Sequence, residues 1–316
     1  MEHFRSLAEA GSSPAMQGAW VTIGTFDGVH RGHQAILKPL ADAAHAAGAP
    51  AVIVTFHPHP MVVLRGVAEN FYLTCPNERA RLLSALGIDA VVTLTFDQAL
   101  AALPAEEFMR QMSRALALRQ LWVGDDFALG RNRQGDIPTL RRLGEALGFD
   151  LHVTAEVDEI DNGHTRISSS RIRELLRQGQ AAQAARLLGR PYSIEGPVIH
   201  GDGRGRGLGF PTANVGYWHG KLIPAFGVYA TWTWIGQRRV ASVTSVGVRP
   251  TFDLAPGVPQ VEAFLLDFNE DLYGQTVRVD FLEFLRPELR FDSARALIDQ
   301  MILDTQNARE VLAHAG

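Results

Sequence analysis

The chain has 316 residues, more than one ordinary core serves, and suits two domains. Hydrophobic residues make up 46% and charged residues 20%, the balance of a soluble globular protein, and a net charge of −4 excludes nucleic-acid binding driven by bulk charge. The single cysteine, Cys75, allows no intrachain disulfide, no apolar run spans a bilayer, and Met1 to Met16 lack the pattern of a signal peptide, so a cytoplasmic protein with no membrane partner is expected.

In chain order, Trp20 to Gly24 reads as a buried strand and Gln34 to Ala47 as an alanine-rich helix. Ala51 to Phe56 is a second buried strand, Glu78 to Leu86 a helix, Ala90 to Phe96 a strand and Ala105 to Leu116 a helix. Leu121 to Gly124 and Thr139 to Leu147 complete the alternation. Strands without polar alternation, separated by helices, predict a parallel sheet covered on both faces. Such sheets bind ligands at the carboxyl ends of their strands, where Gly24-Thr25, His57-Pro58 and Gly124-Asp125-Asp126 fall. Ser168 to Gln178 and Ala181 to Leu188 are helical, stopped by Gly179 and Gly189, and Gly189-Arg190-Pro191 is taken as the domain boundary.

Beyond it the period changes. In Phe226 to Ile235, Val228, Ala230, Trp232 and Trp234 share one face, and Thr231 and Thr233 the other. Ile235 to Arg238 turns into a strand over Val240 to Val246, Val261 to Leu266 is a strand, and Tyr273-Gly274-Gln275 turns into Thr276 to Leu285. Alternating strands with tight turns predict an antiparallel sheet or small barrel, closed by a helix over Ser293 to Thr305.

Two stretches are suited to phosphate, by different designs. In the first, Gly24-Thr25-Phe26-Asp27-Gly28-Val29-His30-Arg31-Gly32-His33, the spacing sets His30 and His33 on one face of a first helical turn. Free N–H groups and the helix dipole add positive potential there, and Gly24 and Gly28 keep the loop thin. The plain alternative is a pair of solvated histidines. In the second, Gly201, Gly203, Gly205, Gly207 and Gly209 alternate with Arg204 and Arg206 and lead into Phe210-Pro211-Thr212-Ala213-Asn214. Glycines let N–H groups converge on phosphate, and arginines add bidentate charge. Thr212 and Asn214 put two neutral oxygens on one side of extended backbone, suited to Mg²⁺ beside phosphates; the alternative is turn chemistry after Pro211.

Weaker signals accompany these. Ser168, Ser169 and Ser170 open a helix that carries Arg171 and Arg173, either a phosphate site or ordinary capping. Asp125 and Asp126 follow a strand, ahead of Phe127, either as ribose, base or metal ligands or as a solvated loop. Glu262 shares a strand face with Phe264 and Leu266, which suits either a general base or a rim carboxylate. Zinc spacings and a nucleophile elbow are absent from the sequence.

Together these stretches resemble the bifunctional riboflavin kinase/FMN adenylyltransferases, the bacterial FAD synthetases, over nearly the whole chain. Gly24 to His33, Phe56-His57-Pro58-His59-Pro60, Gly124 to Phe127 and Ile167 to Arg173 are similar to the adenylyltransferase motifs. Gly209 to Asn214, Gly227 to Ala230, Pro250-Thr251-Phe252 and Asp271 to Gly274 are similar to the kinase motifs. The resemblance implies an α/β fold: a Rossmann-like nucleotidyltransferase domain with a parallel sheet over residues 1–188, and a small antiparallel β-barrel of riboflavin kinase type with terminal helices over 189–316.

It also implies two reactions, phosphorylation of riboflavin to FMN by ATP and adenylylation of FMN to FAD with release of pyrophosphate, with Mg²⁺ as cofactor. The implied catalytic residues are Glu262, His30, His33 and Arg173. Gly24, Phe26, Asp27, Gly28, Ser168, Ser169, Ser170, Gly207, Gly209 and Thr212 would bind nucleotide, His57, Pro58, Asp126 and Phe127 flavin, and Thr212 and Asn214 the metal. Ser170, Asp126, Leu129 and Arg249 stand where the family frequently has Thr, Asn, Phe and Asn. The competing reading is an adenylyltransferase for another phosphate ester carrying a flavin-binding module. Self-association and delivery of flavin to apoflavoproteins are compatible with the sequence and not required by it.

Overall fold

The structure, a computed structural model, describes residues 1–66, 70–155, 158–159, 165–200, 210–248 and 258–314. The chain forms two compact units, Met1–Ala68 with Thr74–Ser168, and Glu69–Leu73 with Ser169–Gly316. The division at Ser168/Ser169 falls ahead of the Gly189 boundary read from the sequence, so the two helices before Gly189 belong with the second unit.

The first unit is built on a six-stranded sheet in the order β1-β4-β3-β2-β5-β6. Its strands are β1 (Glu2–Phe4), β2 (Trp20–Ile23), β3 (Ala51–His57), β4 (Ala90–Thr95), β5 (Gln120–Gly124) and β6 (Asp150–Thr154), and every pairing is parallel. α1 (Leu7–Gly11), α2 (Arg31–Ala46), α3 (Pro60–Arg65), α4 (Pro76–Ala85), α5 (Gln98–Ala101), α6 (Ala105–Leu116) and α7 (Ile137–Leu147) connect them. A short pair, β7 (Asp158–Glu159) and β8 (Thr165–Arg166), follows.

Apolar side chains fill both faces of this sheet, as its unalternating strands require. On one face Val21, Ile23, Val52, Val54, Val92 and Leu121 pack with Phe108, Met109 and Met112 of α6 and Leu140 of α7. On the other, Ile53 and Val91 meet Leu37, Ala41 and Ala44 of α2 and Leu83 of α4. The sequence pattern missed β1, α1, α3, α5, β6, β7 and β8. β1 has three residues, of which Phe4 alone is buried, and β6 is an edge strand with no fully buried residue, so neither writes an apolar run.

In the second unit α8 (Ser169–Arg177) and α9 (Ala181–Leu188) precede a closed antiparallel barrel in the order β10-β13-β12-β11-β14-β9. Its strands are β9 (Tyr192–Ile199), β10 (Thr212–Val215), β11 (Gly227–Ile235), β12 (Arg238–Gly247), β13 (Gln260–Leu265) and β14 (Thr276–Arg286). Closure removes the exposed edges that would template aggregation.

The alternation in β11 sorts the faces, with the threonines pointing inward. Thr231, Thr233, Ser242 and Thr244 are all fully buried. Thr231 Oγ1 bonds Ser242 Oγ at 2.8 Å and Thr244 Oγ1 at 2.7 Å, and Thr233 Oγ1 bonds Ser242 Oγ at 2.7 Å. Outside, Ala230 and Trp232 are covered by Ala308, Val311 and Leu312 of α10 (Ala294–His314), which runs past the expected end at Thr305. A bidentate pair ties α10 to β14, with Arg286 Nε at 2.8 Å and Nη2 at 2.7 Å from the Asp304 carboxylate.

The short segment before α4 also belongs to this unit. Phe71 N and Tyr72 N donate to Gly220 O at 3.1 and 2.9 Å, Leu222 N donates to Tyr72 O at 2.8 Å, and buried Lys221 donates from Nζ to Leu73 O at 2.7 Å.

Candidate active sites

The loop from β2 to α2 forms the first site. His30 is the N-cap of α2, and its Nδ1 accepts the backbone N–H of His33 at 3.3 Å. An imidazole that accepts at Nδ1 carries its neutral-form proton on Nε2, so the neutral His30 ring has its N–H at Nε2. The His30 and His33 rings stack at 3.5 Å with an 18° interplanar angle, and Phe26 meets His33 edge-on at 5.1 Å. The spacing expectation thus holds: the two imidazoles share one face at a helix N-terminus.

The loop is tightly wound. Phe26 (φ 46°), Gly28 (φ 86°) and Val29 (φ 41°) all lie in the left-handed region. For the two that carry side chains this costs about 1–3 kcal/mol each, a strain typical of functional loops. Gly32 is closely surrounded: a Cβ there would sit 3.2 Å from the His30 ring and 3.3 Å from Ile167 O, tighter than an ordinary contact. Asp27 is fully buried, and its Oδ1 accepts from Thr74 N at 3.0 Å and Thr74 Oγ1 at 3.2 Å. Gly28 N donates to Thr74 Oγ1 at 3.1 Å, and buried Arg79 of α4 donates from Nη1 to Thr25 O at 3.1 Å.

His57 and Pro58 end β3, with a cis bond between them. Burial first, and the nearby Arg79 charge second, hold the His57 imidazole below its usual 6.5. Beside them Phe56, Phe96, Leu129 and Arg133 help to line a largely apolar cavity of about 320 Å³. Asp126 pairs with Arg166 at 2.5 Å, and its backbone carbonyl accepts from Arg133 Nη2 at 3.0 Å. Phe127 packs against the core beneath. Ser168 lies at the end of the first unit, and Ser169 and Ser170 open α8 in the second. Arg173, on α8, is buried; its Nε donates to Phe71 O at 2.8 Å and its guanidinium lies 4.0 Å from the centre of the Phe71 ring.

The second site lies on the outer face of the barrel. The register sets Asn214 of β10 directly opposite Glu262 of β13, and Ser245 of β12 opposite Glu262 on the other side. Thr212 pairs with Phe264, two residues along on the same face. Glu262 is buried at 8% exposure while Thr212 and Asn214 are half-buried, so a buried carboxylate is joined to two accessible neutral oxygens. Leu266, expected on the Glu262 face, lies just beyond the strand end. Tyr217 anchors the end of β10 by donating to Pro259 O at 2.6 Å, and burial pushes its hydroxyl up to about 12. A cavity of about 370 Å³ adjoins Pro211 and Thr212, walled by Phe268, Leu272 and Tyr273 with Glu270 and Asp271 at its polar side. Gly207, Gly209 and the Pro250 to Phe252 motif lie outside the described residues, as does Arg249.

A parallel α/β sheet with paired histidines at a helix start, joined to a closed barrel with a Thr, Asn and Glu face, defines a two-part nucleotide-dependent transferase. A family model for FAD synthetase matches residues 12–171, and one for riboflavin kinase matches residues 188–312. The chain belongs to the bifunctional riboflavin kinase/FMN adenylyltransferase family, and it makes FMN from riboflavin and FAD from FMN with ATP. The Escherichia coli K12 protein of that name is 37% identical over 312 residues, 98% of this chain and 97% of the relative. The Bacillus subtilis 168 protein is 34% identical over 290 residues, 91% and 90% of the two chains. A solved structure described as a macrolide-efflux protein of Streptococcus pneumoniae superposes with a TM-score of 0.87 at 30% identity, covering 98% and 99% of the two chains. Among the described residues of this chain, no helix is long and apolar enough to cross a membrane.

Proposed function

We propose that the two reactions are divided between the units, with adenylyl transfer at the β2–α2 loop and riboflavin phosphorylation on the β10–β13 face. The carrying observation is the register that sets Asn214 against Glu262, a buried carboxylate beside accessible oxygens, in a different unit from the stacked histidines.

In the kinase unit the riboflavin 5′-hydroxyl attacks the γ-phosphorus of ATP and ADP leaves. Glu262 takes the hydroxyl proton, the task a positioned carboxylate performs for a weak nucleophile. Thr212 and Asn214 would hold Mg²⁺ together with the ATP phosphates. Their neutral oxygens fit an ion that takes its anionic ligands from substrate, and no cluster of three acidic, histidine or cysteine side chains suited to a metal occurs among the described residues. When bound, Mg²⁺ supplies charge neutralisation at the phosphates. The cavity beside Thr212 takes the adenine.

In the adenylyltransferase unit an FMN phosphate oxygen attacks the α-phosphorus of ATP and pyrophosphate leaves. The nucleophile is already anionic, so the protein supplies position and charge rather than a base. His30 Nε2–H, His33 and the first N–H groups of α2 stabilise the charge that builds on the phosphate, within the loop shaped by Gly24, Phe26, Asp27 and Gly28. The isoalloxazine occupies the cavity of Phe56, Phe96 and Leu129, flanked by His57, Pro58, Asp126 and Phe127. Ser168, the last residue of the same unit, serves nucleotide phosphate. Both reactions run in the cytoplasm, where ATP is supplied.

The test is a pair of full-length variants assayed for each step. His33→Ala should lower FAD formation by roughly a hundredfold, the scale of one lost charge-stabilising donor, with FMN formation unchanged. Glu262→Gln should lower FMN formation by roughly a hundredfold while supplied FMN is still converted to FAD. Equal loss of both activities in either variant would refute the division.

A further inference from the structure

Thr74 is set apart by what it holds. It is 2% exposed, stands two residues before α4, and touches the loop at two consecutive residues. Its N–H and Oγ1 donate to Asp27 Oδ1, and Oγ1 accepts from Gly28 N. One hydroxyl therefore donates and accepts at once, across 47 positions of sequence for Asp27 and 46 for Gly28.

The segment gripped in this way is the wound one. Gly28 lies between Asp27 and Val29, and Phe26 and Val29 hold left-handed conformations that side-chain-bearing residues seldom adopt. Val29 directly precedes the His30 cap, so a relaxed turn at Gly28 would displace the imidazole and the first N–H groups of α2. Arg79 of α4 holds the other flank through Thr25 O. The Asp27 carboxylate, fully buried, faces inward to Thr74.

We propose that Thr74 is a positioning residue for adenylyl transfer, fixing the wound β2–α2 loop through Asp27 and Gly28 so that His30 and His33 meet the α-phosphate. Asp27 then serves the nucleotide through the backbone it shapes. This inference rests on the assignment of adenylyl transfer to that loop. The plain alternative is a buried threonine that contributes only packing.

Thr74→Val keeps the shape and the backbone N–H but removes the hydroxyl, and Thr74→Ser keeps the hydroxyl and removes the methyl. Both are to be made in the full-length protein, with His33→Ala beside them. The kcat and KM of FMN adenylylation are measured with Mg²⁺ and ATP, and riboflavin phosphorylation on the same preparation reports an intact chain. Thr74→Val should lower the adenylylation kcat by roughly tenfold to a hundredfold, the scale of a small misplacement of reacting groups, with KM for ATP changed little and phosphorylation unchanged. Thr74→Ser should restore most of the rate.

Normal adenylylation by Thr74→Val, with His33→Ala impaired, overturns the role of Thr74 and leaves the site assignment standing. Normal adenylylation by both variants overturns the site assignment and the inference together. Equal loss in the Val and Ser variants assigns Thr74 to packing and overturns the inference. Should the Val variant fail to fold, Thr74→Ala takes its place with the same expectation, and a tenfold loss in Thr74→Ser remains contradictory.

Discussion

At the scale of single residues, spacing was a good guide wherever one element carried the whole device. His30 and His33 are three apart, and a helix start sets such a pair on one face, which is where they stack. Thr74 was illegible because its partners, Asp27 and Gly28, are distant in sequence and meet it only through folding. Arg173 was legible as a helix cation, but its contacts with Phe71 came from a segment with no motif of its own. His57 gives a titration test. Burial and Arg79 both disfavour its charged form, so the unfolded chain binds the proton more readily. Stability from this group is therefore present above the unfolded value of 6.5 and is lost as pH falls below it toward the folded value. An NMR titration of the His57 ring should give a midpoint below 6.5, and Arg79→Met should raise it only in part, because burial is the larger cause. A midpoint at or above 6.5 would contradict this environment.

At the scale of elements, the parallel sheet and the antiparallel barrel strands were readable because their periods differ and reflect burial on both faces or one. Period two separated the faces of β11 without saying which lies inside. Tryptophans opposite threonines suggest an apolar interior, yet α10 covers Trp232 from outside and the hydroxyls satisfy one another within. Thr231→Val keeps the volume but removes the hydroxyl that bonds Thr244 and one of the two hydroxyls that bond Ser242. It should destabilise the barrel by about 1–3 kcal/mol, measured by denaturant unfolding, and a neutral result would mean the remaining hydroxyls re-pair. The helices before Gly189 matter to the same unit. Leu187 and Leu188 of α9 are buried, each burial being worth about 1.5–3 kcal/mol. A fragment that begins at Ser169 should therefore melt several degrees above one that begins at Gly189. Equal melting temperatures would show that α8 and α9 add nothing to the barrel.

At the scale of the whole molecule, the sequence carried two sheet types, and the structure sorts them into two compact units. The place of division was less legible, because Gly189 is a left-handed helix stop and therefore a strong local signal, whereas the division at Ser168/Ser169 depends on tertiary packing. The most direct measurement of the division of labour is product analysis of the isolated fragment Ser169–Gly316. Incubated with riboflavin, ATP and Mg²⁺ and resolved by chromatography, it is expected to make FMN and no FAD, even when FMN is supplied. FAD formed by that fragment would contradict the assignment of adenylyl transfer to the β2–α2 loop.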